Sequence, residues 1–213
     1  MMMPSNTNSI FTSVQDSIQT AVEKSKQLSP DRQDRLKEIA AYIQDALNQA
    51  VIPQLTFICT HNSRRSHLGQ IWAKVMADYY GYSSVRTYSG GTEATAFNPN
   101  AIAALRVQGL EIVALTEGQN PHYNIRYSEE QAKLETWSKV FNQAPNPQAS
   151  FCAIMTCSEA DEACPVVFGA SKRVALPYED PKKSDGTPEQ AATYQARSLE
   201  IATEMAFLFQ QLG

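Results

Sequence analysis

From Leu55 onward, short apolar runs alternate with helical patterns, and that alternation lays out the chain. Leu55 to Cys59 reads as a buried strand, Ser66 to Tyr80 as a helix, Val85 to Ser89 as a second strand and Asn98 to Gln108 as a second helix. Phe151 to Thr156 and Arg173 to Pro177 supply two more apolar strands. Thr187 to Leu212 reads as a closing helix, with Ala191, Tyr194, Leu199, Met205 and Leu208 available for its buried side. Alternation of this kind predicts an α/β fold on a parallel sheet.

Two stretches lie outside that plan. Ile10, Val14, Ile18 and Val22 recur on one helical face, and a second helix follows: Ser29 is a good N-cap, Pro30 suits the first helical position, and Leu36, Ile39, Ile43 and Leu47 form its apolar stripe before Pro53. Residues 1–53 are therefore expected to form a helical hairpin lying against a main unit at 54–213. Within that unit, 117–150 is an insert. It holds an alternating run from His122 to Tyr127, then a predicted helix with Ser128 and Gln131 as a capping box and Leu134, Trp137, Val140 and Phe141 as its apolar face. The insert is expected to be either a lid or a peripheral element with its own small core, with Trp137 buried rather than facing substrate.

Composition narrows the function classes. The chain has 213 residues, 43% of them hydrophobic, enough for one well-filled domain with an appendage. Its 18 basic and 22 acidic side chains give a net charge of -4, which argues against a nucleic-acid binder that works by counterion release. No stretch approaches the length of a membrane span. The opening Met-Met-Met-Pro-Ser-Asn-Thr-Asn has neither the basic start nor the apolar run of a secretory signal, so the expected location is cytoplasmic. There, four cysteines point to catalysis or redox cycling rather than a disulfide framework. The three histidines have no ligand cluster at zinc-like spacing, so neither a metal nor a cofactor is expected.

The chemistry concentrates where the first strand ends. Cys59 is followed by Thr60, His61, Asn62, Ser63, Arg64, Arg65 and Ser66, and then a helix. A helix start offers unpaired amides and the positive end of its dipole, which favour both a bound oxyanion and a thiolate. The amides of residues 60–65 are expected to cradle a tetrahedral anion, with Arg65 holding two of its oxygens through a planar fork. Cys59 is the expected nucleophile, and the Ser66 hydroxyl can stabilise its sulfur as a leaving group. His61 and His67 are expected to border the loop rather than catalyse.

Two further features sit later. Cys157 and Cys164 bracket Ser-Glu-Ala-Asp-Glu-Ala; an intact helix there separates them by about 10 Å, beyond the roughly 7 Å limit for a disulfide, so bridging needs the segment to unwind. Cys152 reads as a core residue. Tyr178-Glu179-Asp180-Pro181 follows the last strand and brings a carboxylate to the same rim as Cys59. Near a bound anion an aspartate can carry a proton to a leaving oxygen, so Asp180 is the expected acid.

These motifs, in this order, resemble the low-molecular-weight protein tyrosine phosphatase fold family, closest to its thioredoxin-coupled arsenate reductases. The resemblance rests on CTHNSRRS, TCSEADEACP and EDPKK and covers residues 54–211. It implies a three-layer α/β sandwich with a mainly four-stranded parallel central sheet, plus the N-terminal helices as an extension. It also implies attack of Cys59 on arsenate, relay of the resulting disulfide through Cys157 to Cys164, and reduction by thioredoxin. The alternative it implies is a phosphatase acting on phosphotyrosine proteins or aryl phosphates through a Cys59 phosphocysteine. Three positions depart from the family pattern: His61 replaces a common glycine, Arg64 replaces a second loop cysteine, and Pro181-Lys182 lacks the family's aromatic residue.

Overall fold

The computed structural model describes residues 10–130, 133–164 and 166–213. Helices α1 (Thr12–Ser25) and α2 (Pro30–Asn48) come first, then β1 (Gln54–Cys59), α3 (Arg65–Tyr79), β2 (Arg86–Gly91) and α4 (Pro99–Val107). Three short strands follow, β3 (Glu111–Ala114), β4 (Tyr123–Arg126) and β5 (Leu134–Thr136). The chain then returns through β6 (Phe151–Met155), α5 (Ser158–Ala163), β7 (Ala170–Ala175), a 3-10 turn at Pro181–Ser184 and α6 (Gln190–Gln210).

The central sheet is four-stranded and parallel in the order β2-β1-β6-β7. Leu55 stands between Thr87 and Cys152, and Cys59 lies opposite Gly91 at the carboxyl end. Period-two alternation sends side chains to both faces. Leu55, Phe57, Cys152 and Ile154 join the main core with Trp72 of α3 and Met205 of α6, while Ile58, Ala153 and Met155 pack on the other face with Cys157, Ala160 and Val167. Helix α3 lies so close to β1 that a Cβ on Gly69 would stand 2.5 Å from the Phe57 ring. Sheet ends are where ligands bind in such folds.

The N-terminal helices share the main core. Val14 and Ile18 of α1, and Leu36, Ile39 and Ile43 of α2, are fully buried in one cluster with Phe57, Trp72 and Ile201. Ser29 caps α2 as expected, its hydroxyl accepting from Arg32 N.

The insert differs from the sequence expectation. Leu134–Thr136 is a strand, not part of a helix; it pairs antiparallel with β4, which pairs with β3. Leu134 and Thr136 are buried while Glu135 is half-exposed, so the period is two, and pairing with β4 outweighs the helical spacing of Leu134, Trp137, Val140 and Phe141. Ser128 Oγ accepts from Glu130 N in a local turn; Gln131, the other half of the expected box, lies outside the described residues. The strand expected at Arg173 begins at Ala170, because the parallel ladder starts where Phe151 does.

Candidate active site

The loop after Cys59 is shaped by what surrounds it. Cys59 O accepts from Thr92 N (3.1 Å), Thr60 O from Glu93 N (2.9 Å) and Thr92 Oγ1 (3.1 Å), and Ser63 O from Asn98 N (2.9 Å). His61 O takes the hydroxyls of Thr95 (3.0 Å) and Ser138 (3.1 Å). The carbonyls are thus spent on the β2–α4 connection and the insert. Among the described residues, the amides of residues 60–65 have no acceptor, which is the arrangement of an anion nest. Gly91 permits this closeness: a Cβ there would stand 2.6 Å from both Asn62 N and Thr60 O.

Asn62 holds the turn from within. It is fully buried with φ 43°, a left-handed conformation that asparagine tolerates better than most residues. Its Nδ2 donates to Ser66 Oγ (2.8 Å), and its Oδ1 accepts from Lys139 N (2.9 Å). Ser66 Oγ in turn lies 3.1 Å from Cys59 Sγ. The serine is therefore fixed beside the sulfur and free to donate to it.

The insert has no core of its own, since Ile125, Tyr127 and Leu134 are buried in the main core. Its 136–141 segment braces the loop from outside. Besides the contacts of Ser138 and Lys139, Gly91 N donates to Lys139 O (2.9 Å) and Phe141 N to Gly91 O (2.9 Å). Thr136 Oγ1 meets His67 Nδ1 at 2.9 Å, and Ser89 Oγ meets the same nitrogen at 3.2 Å. Burial, with Lys139 nearby, holds His67 well below the usual histidine range, so this ring is neutral. Trp137 is half-exposed, stacked on His122 at 4.1 Å with the Lys139 ammonium 4.6 Å from its ring. Lys139 is itself buried, which pushes its amine down to about 8.

Arg65 is buried and bridges the loop to the segment after β7. Its guanidinium donates to Tyr178 O (3.0 Å) and to Asp180 Oδ2 (2.8 Å), and Glu159 lies 3.9 Å away. Asp180 Oδ1 accepts from Lys182 N (3.0 Å), capping the 3-10 turn. Arg64 turns elsewhere: its Nε donates to Tyr194 OH (2.9 Å), and it stands 3.9 Å from Asp180 and 3.8 Å from Asp185. Its side chain ties the Asp180 turn to α6. His61 pairs with Glu93 on the surface at 2.9 Å.

Cys157 and Cys164 cap opposite ends of the short α5, and all four cysteines are free. Cys157 is buried in the same cluster as Cys59; its sulfur accepts from Ala160 N (3.4 Å) and lies 3.5 Å from Thr60 Oγ1. Burial raises its thiol above the ordinary range, while Thr60, the α5 amide and Arg65 pull it back down. Cys164 is half-buried, its carbonyl held by Arg173 Nε (3.1 Å), and Arg173 also grips Asp161. Burial pushes Cys152 up to about 12, as befits a core thiol.

Cys59, the 60–65 loop, Ser66, Cys157 and Asp180 therefore lie together at one sheet end, with Arg64 directed to the acid turn rather than into the nest, whereas Cys164 stands at the far end of α5 and Cys152 in the core opposite Leu55. The supporting residues Gly91, Thr95, Ser138 and Lys139 were not found from sequence. Only the Gly90-Gly91 pair that ends β2 offered a signal for them.

No protein-family model matches the chain. It is similar to an arsenate reductase of Bacillus licheniformis, 28% identical over 158 residues that make up 74% of this chain and 94% of that one. It is also 30% identical to an arsenate reductase of Bacillus subtilis over 134 residues, 63% of this chain and 78% of the relative. In structure it is similar to a low-molecular-weight protein tyrosine phosphatase from T. tengcongensis, with a TM-score of 0.53 at 16% identity, covering 75% of this chain and 99% of that one. A YwlE mutant from Bacillus subtilis superposes with a TM-score of 0.51 at 17% identity, covering 75% and 97%. With the nest at the end of β1 and these sequence relatives, the chain belongs to the arsenate reductase family of enzymes, built on the fold of the low-molecular-weight protein tyrosine phosphatases.

Proposed function

We propose that this enzyme is an arsenate reductase working through three cysteines. The nest amides and Arg65 hold arsenate with arsenic facing Cys59. The Cys59 thiolate attacks arsenic, an As–S bond forms, and an oxygen leaves as water with a proton delivered by Asp180. The dianion offsets the charge of Arg65 while that proton is in place. Cys157 then attacks the Cys59 sulfur as a thiolate: an S–S bond forms, the As–S bond breaks, and its electron pair stays on arsenic, which departs as arsenite. Two thiols have supplied the two electrons. Attack by Cys164 on Cys157 frees Cys59 and leaves a 157–164 disulfide for a dithiol protein, thioredoxin, to reduce.

The observation that carries this reading is the Cys157 sulfur, buried in one cluster with Cys59 and 3.5 Å from the hydroxyl of the next loop residue. A phosphatase has no use for it. The relay also needs α5 to open, since about 10 Å of intact helix separates its ends. A helix of six residues with one buried side chain is easily undone. Residues 54–213 form the catalytic unit and 1–53 an extension that supports it.

A second reading, hydrolysis of aryl phosphates or phosphotyrosine proteins through a Cys59 phosphocysteine, is favoured by one feature. A cleft of about 370 Å³ opens beside the loop at Ser63, lined by Thr95, Phe97, Asn98 and Gln119, and could take an aromatic leaving group. Coupled assays separate the two readings. Arsenate should drive NADPH consumption in the presence of thioredoxin and its reductase. Cys157→Ser and Cys164→Ser should abolish that turnover and still cleave an aryl phosphate. Brisk aryl phosphate cleavage with no arsenate turnover overturns the reductase in favour of the phosphatase.

A further inference from the structure

The N-terminal helices reach the reacting end of the sheet through two arginines of α2. Arg32, in the first turn of α2, donates from Nε to Glu204 Oε1 (2.7 Å) and from one terminal nitrogen to Glu204 Oε2 (2.6 Å), a bidentate pair with a carboxylate that is 1% exposed. Its other terminal nitrogen donates to Pro177 O (3.1 Å), and its guanidinium lies 4.9 Å over the Tyr178 ring. Glu204 also accepts the Tyr178 hydroxyl at 2.6 Å. One turn further along α2, Arg35 donates to Ala175 O (2.9 Å).

Tyr178 is thus held at both ends. Arg32 and Glu204 fix its ring and hydroxyl, and its carbonyl takes the Arg65 guanidinium whose other nitrogen holds Asp180 at 2.8 Å. Asp180 is two residues further on, in a turn that carries its own cap. A path of charge-assisted hydrogen bonds therefore runs from the extension to the acid, and nothing in it is longer than 3.1 Å.

We propose that Arg32 is a positioning residue for the reaction: through Glu204 and Tyr178 it sets the place of Asp180 against Arg65, so the extension serves proton delivery. This rests on the assignment of Asp180 as the acid in the half-reaction that arsenate and aryl phosphate share.

Aryl phosphates of graded leaving group test it, because a poor leaving oxygen needs the proton and a good one does not. Asp180→Asn should slow phenyl phosphate strongly and dinitrophenyl phosphate little. Arg32→Gln should show the same split, with about 10- to 100-fold lost on phenyl phosphate. In the Asp180→Asn background Arg32→Gln should cost nothing more. Arg32→Lys keeps a cation beside Glu204 but gives up the fork. It should fold even if the glutamine variant does not, and show the same split at smaller size.

Equal losses on both substrates, or losses that multiply with Asp180→Asn, overturn the positioning role alone. If Asp180→Asn is without effect, or the unaltered chain cleaves no aryl phosphate, the acid assignment falls and the inference with it.

Discussion

The hydroxyl of Thr60 lies 3.5 Å from the sulfur of Cys157, so the first loop residue after the nucleophile touches the thiol that is to resolve it. That contact lowers a thiol which burial raises. Thr60→Val should slow arsenite release about 5-fold, the worth of one neutral hydrogen bond, and leave aryl phosphate hydrolysis nearly unchanged. Rapid-quench measurement of arsenite in a single turnover checks it.

The same shift sets a pH dependence. With the folded thiol above its ordinary range, the reactive thiolate of Cys157 is scarce at neutral pH and grows as pH rises. Arsenite release should therefore climb through the mildly alkaline range. Hydrolysis of an aryl phosphate, which does not use Cys157, should not follow it; parallel profiles would remove the cysteine from the slow step.

Ser66 stands 3.1 Å from the Cys59 sulfur and is held there by Asn62. A hydrogen bond to a charged group contributes about 1.5–3 kcal/mol. Ser66→Ala should cost about 10- to 100-fold in the breakdown of a phosphocysteine, where sulfur leaves as thiolate. Burst kinetics should show the intermediate accumulating.

Gly91 meets two loop residues at a distance no side chain allows. Gly91→Ala should open the nest and abolish protection of Cys59 by phosphate against iodoacetamide, while the far-ultraviolet circular dichroism of the fold persists.

Lys139 gives a stability test. Its amine, near 8 in the folded chain and 10.5 in a free one, is less protonated in the native state between those values, so stability rises with pH across that window and the penalty is present in full below it. The shift corresponds to about 3 kcal/mol at most. Lys139→Met should raise the urea midpoint at neutral pH by about 1–3 kcal/mol equivalent and flatten the rise between pH 8 and 10. Losing the Trp137 carbonyl's donor trims the gain.

By itself the sequence determined the order of the four central strands and of the helices packed around them, the nest between Cys59 and Ser66, and the place of Asp180 after the last strand. Each is written in neighbouring residues, through periodicity, capping and turn chemistry. The tertiary structure decided the rest. Leu134–Thr136 became a strand because β4 was there to pair with it, although its spacing also suits a helix. Arg64 turned away from the nest because Tyr194, 130 positions later, accepts its hydrogen bond. Arg32 and Glu204 meet across 172 positions, and nothing local marks either as a partner. Local patterns say which face of an element is apolar; which charged groups then share a buried space depends on how those faces are brought together.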